Sequence, residues 1–179
     1  MDSATAGSEK SKMIRVSSCS WLAVVLMSLA VVSCGGGGED GPTVAALTIA
    51  EVEVASFELL RAARSENGIA NELGFNRALG EVARAHSEAM RDQGFLAHTD
   101  PSGEGLRARL RAAGLSFASA TENLVQVSHR SDPAALAHAE LMASPEHRKQ
   151  IVDSTFQLAG VGVARSADTY WFTQIFIEP

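Results

Sequence analysis

The segment 76–94 constrains the fold of this chain more than any other, because it carries the clearest helical pattern. Apolar and small residues recur there at spacings of three and four, which places them on one face of a helix. These residues are Leu79, Val82, Ala83, His86, Ala89 and Met90. Asn76 suits the N-cap of such a helix and Gly94 its C-terminal stop. The helix must bury this face against another element, with His86 as a core histidine.

The partner surface is predicted at the C-terminus, where two segments are rich in apolar, β-branched and aromatic residues. They cover residues 158–164 and 170–177, and a short turn over 165–169 joins them. This pattern is typical of a β-hairpin. The segment 122–127 has a similar composition and could enter the same sheet.

Three further helices are predicted before the hairpin. One covers residues 44–64, a second covers 105–113, and a third follows Asp132-Pro133, a good pair for a helix start. The expected buried face of the first consists of Leu47, Val54, Phe57, Leu60 and Ala63. Because the helices come first and the hairpin last, the sequence predicts an α+β fold.

The N-terminus has the pattern of a signal peptide over residues 1–33. Its uncharged apolar run, residues 21–32, has 12 residues, whereas a membrane-spanning helix needs about 20. The basic residues that precede this run are Lys10, Lys12 and Arg15. A basic segment before a short apolar run predicts export, and a true start at Met13 would fit this pattern better.

Ser33 and Cys34 follow the apolar run and resemble the bacterial lipobox, in which the cysteine is acylated and becomes the new N-terminus. We therefore expect an extracytoplasmic lipoprotein whose membrane contact is a lipid on Cys34, with ordinary secretion as the alternative. The Gly-rich residues after Cys34 predict a flexible tether. The lipidated cysteine and tether then occupy 34–43, and the folded domain occupies 44–179.

The charge of the chain excludes one class of partner. Its 15 Lys and Arg residues are outnumbered by 21 Asp and Glu residues, a net charge of −6, whereas nucleic-acid binding needs a basic surface. Arg107, Arg109 and Arg111 alternate along a predicted helix, so we interpret them as solvated side chains that point in different directions. We therefore expect no nucleic-acid partner.

No local motif identifies a catalytic or metal centre. The chain contains no P-loop, H-E-x-x-H or G-x-S-x-G motif. His98, Glu122 and His147 have side chains that a site could use, but they lie too far apart in the sequence to form a local metal motif. Only the fold could bring them together. His129 and His138 are expected at the surface.

Several short motifs occur in an order that resembles the CAP superfamily, the cysteine-rich secretory and pathogenesis-related proteins. ALGEVARAHSEAM precedes FLAHTDPSG, RLRAAGL, ENL and SPEHR, and GVGVA with YWFTQIF ends the series. The resemblance extends over about residues 55–177 and points to the cysteine-poor bacterial branch of the family. It implies an α–β–α sandwich, in which a central antiparallel sheet lies between helical layers.

The resemblance also implies a site. In the family, two histidines and two glutamates face a central cleft, and several members bind a divalent metal there. By position, His98 and His147 match the histidines and Glu122 matches one glutamate. Two imidazoles and a carboxylate would suit Zn²⁺ with an open coordination position. Glu122 could instead orient one histidine as an outer partner.

The sequence departs from the family pattern around this site. Thr121 stands where the family usually has Gly, Leu141 where it has Trp, and Glu146 where it has another Gly. The second glutamate has no equivalent at the matching position. Glu140 or Glu146 could substitute for it as a fourth group.

These observations favour a binding protein over an enzyme. The expected function is an extracytoplasmic, lipid-anchored CAP protein that binds a divalent metal, a small-molecule or lipid ligand of the cell envelope, or both. One alternative is a metal-dependent hydrolase for peptide or cell-wall material, in which His98 and His147 hold the metal and Glu122 activates water. Another is a structural or interaction module with a vestigial cleft.

Overall fold

The structure is a computed structural model that describes residues 47–128 and 131–179. The expected signal peptide, the lipidation site Cys34 and the tether lie outside the described residues. So do residues 44–46 of the first predicted helix, and His129.

The described residues form five helices and four strands. The helices are α1 (Ile49–Glu66), α2 (Arg77–Gln93), α3 (Leu106–Ala112), α4 (Pro133–Ala143) and α5 (Pro145–Ile151). The strands are β1 (Gly74–Phe75), β2 (Ser119–Ser128), β3 (Leu158–Ser166) and β4 (Thr169–Glu178). These helices precede the hairpin of β3 and β4, so the α+β prediction is confirmed.

The helix ends follow from local side-chain chemistry. Asn76 caps α2 by accepting a hydrogen bond from the amide of Leu79 at 3.1 Å, and Gly94 ends it with a φ of 69°. Asp132 caps α4 by accepting from the amide of Ala135 at 3.0 Å. Each cap satisfies a backbone group that the first or last turn leaves without a partner.

The four strands form one sheet in the order β1-β3-β4-β2. β4 pairs antiparallel with both β2 and β3, so the predicted hairpin is confirmed and the segment 122–127 does enter the same sheet. β1 pairs parallel with β3. The sheet is therefore mixed rather than wholly antiparallel, because a two-residue strand carries no periodic signal in the sequence.

Helices cover both faces of the sheet. On one face, Leu79 and Ala83 of α2 and Leu110 of α3 form a core with Ile175 and Ile177 of β4. On the other face, buried side chains of α1, α4 and α5 pack on residues of β2, β3 and β4. Side chains alternate between faces along a strand, so β4 supplies both cores. The result is the expected α–β–α sandwich.

Two glycines allow α2 to approach the sheet closely. A Cβ atom on Gly160 would lie 2.2 Å from the amide nitrogen of Gly80, and one on Gly162 would lie 1.9 Å from that of Arg84. Both distances are far below van der Waals contact, so β3 can carry no side chain at these positions. The alternation of glycine and valine in this strand thus sets the spacing between helix and sheet.

The buried face of α1 differs from the prediction. Val54 is 64% exposed and Leu47, which lies before the helix, is 38% exposed, whereas Glu53 is buried. Glu53 accepts two hydrogen bonds from Arg84, at 2.8 and 2.6 Å, and a third from the amide of Val163 at 3.0 Å. An apolar pattern cannot reveal this face, because part of it consists of a paired carboxylate.

In the described ranges, no helix combines the length and the apolar composition that crossing a bilayer requires.

Candidate functional site

The loop between α2 and α3 carries His98 and is held by hydrogen bonds on both sides of that residue. His86, buried in α2, donates from Nε2 to the carbonyl oxygen of Ala97 at 3.0 Å. Farther along, Asp100 Oδ1 accepts from the amides of Ser102 and Glu104, each at 2.9 Å. These bonds form a tight local turn, so His98 lies between two anchored points.

Burial disfavours the protonated form of His86. The low-polarity surroundings lower the pKa of His86, and the nearby Arg109 guanidinium lowers it further, while Glu122 raises it. A neutral imidazole that donates from Nε2 satisfies the Ala97 carbonyl. The expectation of a core histidine at position 86 is therefore confirmed, and its hydrogen bond supports the site-bearing loop.

The structure brings His98 and Glu122 together. His98 Nδ1 lies 3.1 Å from Glu122 Oε1, and the imidazole is 60% exposed while the carboxylate is 2% exposed. A buried carboxylate that accepts from Nδ1 orients the ring and leaves Nε2 for a ligand. Of the three matched family positions, these two are in direct contact.

A third group, Arg109, completes this cluster. Its Nη2 atom donates to Glu122 Oε1 at 2.8 Å and Oε2 at 3.0 Å, and also reaches the carbonyl oxygen of His98 at 3.2 Å. The Arg109 side chain is only 9% exposed. The interpretation of Arg109 as a solvated surface group is therefore wrong. Its position follows from the charge of Glu122, which would be costly to bury alone.

A cleft of about 610 Å³ lies beside this cluster, along the edge strand β2. Its lining comes from the His98 loop, α3, β2 and α5: His98, Gly105, Leu106, Arg107, Ala108, Arg111, Ala120, Thr121, Glu122 and Gln150. Arg107 and Arg111 both line it because they lie four residues apart, one turn of α3. Their spacing was the available signal for a shared face, and the sequence prediction missed it.

His147 lies on α5, which also packs against β2. Glu122 points toward α3, whereas its neighbours Thr121 and Asn123 contact α5. Asn123 Nδ2 donates to the backbone carbonyl of His147 at 3.3 Å, and Thr121 donates to Gln150 at 2.7 Å. His147 is not among the residues that line the cleft.

The described residues do not fit a three-ligand metal site. Within 47–128 and 131–179, no group of three or more His, Cys, Asp or Glu side chains lies close enough together to hold a metal ion. Glu122 also has a cation already, because Arg109 contacts both of its oxygens. A metal at this carboxylate would be repelled by the charge of that guanidinium.

The remaining candidates lie elsewhere. Glu140 near the end of α4 and Glu146 in the first turn of α5 are exposed, and neither lines the cleft. His138, expected at the surface, is half-buried in α4, and burial lowers its pKa. That expectation was wrong because α4 contributes residues to the core on either side of His138.

The chain belongs to the cysteine-rich secretory protein (CAP) family, whose family model matches residues 57–176.

Similar proteins match this chain over part of their longer sequences. An uncharacterized membrane protein of Bacillus subtilis, YlbC, is 31% identical over 122 residues, which cover 68% of this chain and 33% of that protein. A second protein of B. subtilis, YkwD, is 29% identical over 135 residues, 75% of this chain and 50% of that protein. This chain thus spans a third to a half of the length of these relatives.

A solved structure of similar fold comes from an extracellular Bacillus anthracis protein that contains an SCP domain. It has a TM-score of 0.59 and 26% identity, over 78% of this chain and 45% of that chain.

Proposed function

We propose that this chain is an extracytoplasmic, lipid-anchored CAP protein that binds a small ligand of the cell envelope in the cleft beside β2. The observation that carries the proposal is the cleft itself. It has room for a small molecule and places an exposed imidazole, oriented by the buried Glu122, at its wall.

The location rests on the N-terminal sequence pattern and on the names of relatives. Residues 1–33 have the pattern of an export signal, and Cys34 stands at the position that lipoproteins acylate. One relative is named a membrane protein and another an extracellular protein. A lipid on Cys34 would hold the domain close to envelope components.

Binding is favoured over catalysis because, among the described residues, the hydrogen bonds of this cluster join His98, Glu122 and Arg109 to one another. In the described part of the chain, the Glu122 side chain hydrogen-bonds to the His98 imidazole and to Arg109, not to a Ser, Thr or Cys nucleophile. An arrangement that orients one imidazole toward a cleft suits recognition of a ligand without further groups.

Saturation-transfer NMR on the full-length protein in detergent tests this function. A small-molecule extract of the cell envelope is added together with a metal chelator. The test variant is Ala108→Trp, in which a large side chain at an exposed position of α3 fills the cleft. The matched control is Ala139→Trp, at an exposed position of α4. We expect ligand signals with the unmodified protein and the control, and their loss in Ala108→Trp.

Signals that persist in Ala108→Trp would place binding elsewhere and contradict the proposal. A complete lack of ligand signals would favour the alternative of a structural or interaction module with a vestigial cleft.

Hydrolysis is the second candidate, and the His98–Glu122 pair is the observation that favours it. A carboxylate that orients an imidazole is an arrangement used for general-base catalysis. Turnover of a peptide and peptidoglycan panel, lost in His98→Ala while the fold is retained, would support an enzyme. The absence of turnover across that panel would leave binding as the function.

The family resemblance implies zinc binding by His98, Glu122 and His147. The geometry of the described residues favours a site whose carboxylate is already neutralised by Arg109. Metal titration distinguishes a zinc site from a site whose carboxylate is paired with Arg109.

A further inference from the structure

The cleft carries positive charge although the protein as a whole is acidic. Arg107 and Arg111 line it, and Glu122 is the carboxylate among its lining residues. Arg109, which is not among the lining residues, contacts both oxygens of that carboxylate. The charge of Glu122 is thereby balanced within the protein, so the guanidinium groups of Arg107 and Arg111 leave the cleft with a net positive charge.

These two arginines also differ from the arginines of α2 in lacking a carboxylate partner. Neither Arg107 nor Arg111 forms an ion pair with another described residue. The arginines of α2 do: Arg77 pairs with Glu81, Arg84 with Glu53, and Arg91 with Asp92. Guanidinium groups without a carboxylate partner in the protein are the ones available to an anionic ligand.

The positions of the polar groups around the cleft are partly fixed in advance. The guanidinium carbon of Arg107 lies 5.5 Å from the centroid of the Phe117 ring, a cation–π contact that holds the group at the wall. Gln150 Oε1 accepts from Thr121, which leaves the amide N–H groups of Gln150 for a ligand. Preorganised donors lower the entropy cost of binding.

We infer that the cleft binds a phosphate group carried by a small polyol, an inference that rests on the proposed function and names its ligand class. Two guanidiniums one turn apart can donate several N–H groups to one acceptor. A phosphate has the charge and the number of oxygens to engage both, whereas a carboxylate is satisfied by a single guanidinium. His98 Nε2 and the Gln150 amide would contact the polyol.

The same phosphate chemistry occurs in free polyol phosphates and in phospholipid headgroups. Calorimetric titration of the full-length protein in nonionic detergent therefore uses two probes, glycerol 3-phosphate and a short-chain phosphatidylglycerol. Glycerol and short-chain phosphatidylcholine are their controls, the first without phosphate and the second without net charge. Binding of either charged probe above its control supports the inference and identifies the source.

The decisive variant is Arg107→Gln/Arg111→Gln, which removes both unbalanced charges from the exposed face of α3. We expect the affinity for the charged probe to fall by about tenfold or more, because charge-assisted hydrogen bonds are lost. The matched control is Arg77→Gln/Arg148→Gln, which removes the same charge at positions outside the cleft. The control should bind within about twofold of the unmodified protein, because distant surface charges are screened by salt.

Three outcomes would overturn the inference: no binding of either charged probe, unchanged affinity in the Arg107/Arg111 variant, or an equal loss in the control. The envelope-extract experiment separates this failure from failure of the proposed function. Neutral compounds that occupy the cleft, without any response to phosphate, would leave the binding function standing and remove phosphate as its ligand.

Discussion

At the scale of single residues, the central feature is the buried pair of Glu122 and Arg109. The side chains are 2% and 9% exposed, respectively, and each is the main counter-charge of the other. Burial of an ion pair is costly, and loss of one partner leaves an uncompensated charge. The orientation of His98 depends on this pair, because Glu122 accepts its Nδ1–H.

A double-mutant cycle on Arg109→Met and Glu122→Gln tests the pair. We expect each single change to lower the free energy of unfolding by about 3 kcal/mol, and the double change to cost clearly less than the sum. Urea denaturation measures these values. The exposed pair Arg77–Glu81, with side chains 88% and 55% exposed, is the matched control and should couple by less than about 1 kcal/mol. Equal coupling in both pairs would contradict a buried, structurally coupled site.

His86 and His138 predict how stability depends on pH. Burial lowers the pKa of both below the ordinary value of 6.5. As the pH falls below 6.5, the unfolded chain therefore binds more protons than the folded one, and stability decreases by up to about 1.4 kcal/mol per pH unit for each histidine. Thermal unfolding in mildly acidic buffers measures the effect.

The variant His86→Gln/His138→Gln should show a flatter stability profile over the same pH range. An equally steep loss in this variant would show that other groups are responsible.

At the scale of elements, the spacing of α2 and β3 determines where the site-bearing loop begins. α2 ends at Gly94, and its buried His86 holds the loop that carries His98. Gly162 permits the close contact, since a Cβ there would lie 1.9 Å from the Arg84 amide nitrogen. A side chain at position 162 would push the helix away.

Gly162→Ala should therefore be strongly destabilising, by about 3 kcal/mol or more, because overpacking against backbone atoms cannot be relieved by a rotamer change. Thermal or urea unfolding measures this loss. Gly105→Ala is the control, since the nearest atom to its Cβ would be Thr99 Oγ1 at an ordinary 3.6 Å. Comparable losses in the two variants would argue against a close-packed helix–sheet contact.

The sequence predicted those elements whose signals are local. α2 was found from its period and from Asn76 and Gly94, which act within one turn. β1 was missed because its two residues gain their structure from pairing with β3. Val54 was placed on the wrong face of α1, because the neighbouring buried position belongs to Glu53, a charged residue whose partners are distant in sequence.

At the scale of the whole molecule, two of the three matched family positions meet, whereas the third lies on another element. His98 and Glu122 meet on the α3 side of β2, whereas α5, with His147, packs against the side chains of Thr121 and Asn123. The resemblance to the family predicted that His98 and Glu122 lie together. It could not predict that Arg109 would bind Glu122, because that contact depends on tertiary packing of α3 against β2.

The central claim is that Arg109, and not a metal ion, is the counter-charge of the Glu122 carboxylate. Calorimetric titration of the protein with Zn²⁺, compared with the double variant His98→Ala/His147→Ala, tests this claim most directly. We predict no zinc binding that depends on these histidines. One-to-one binding at micromolar concentrations, lost in a double variant that still folds, would contradict it and establish the cleft as a metal site.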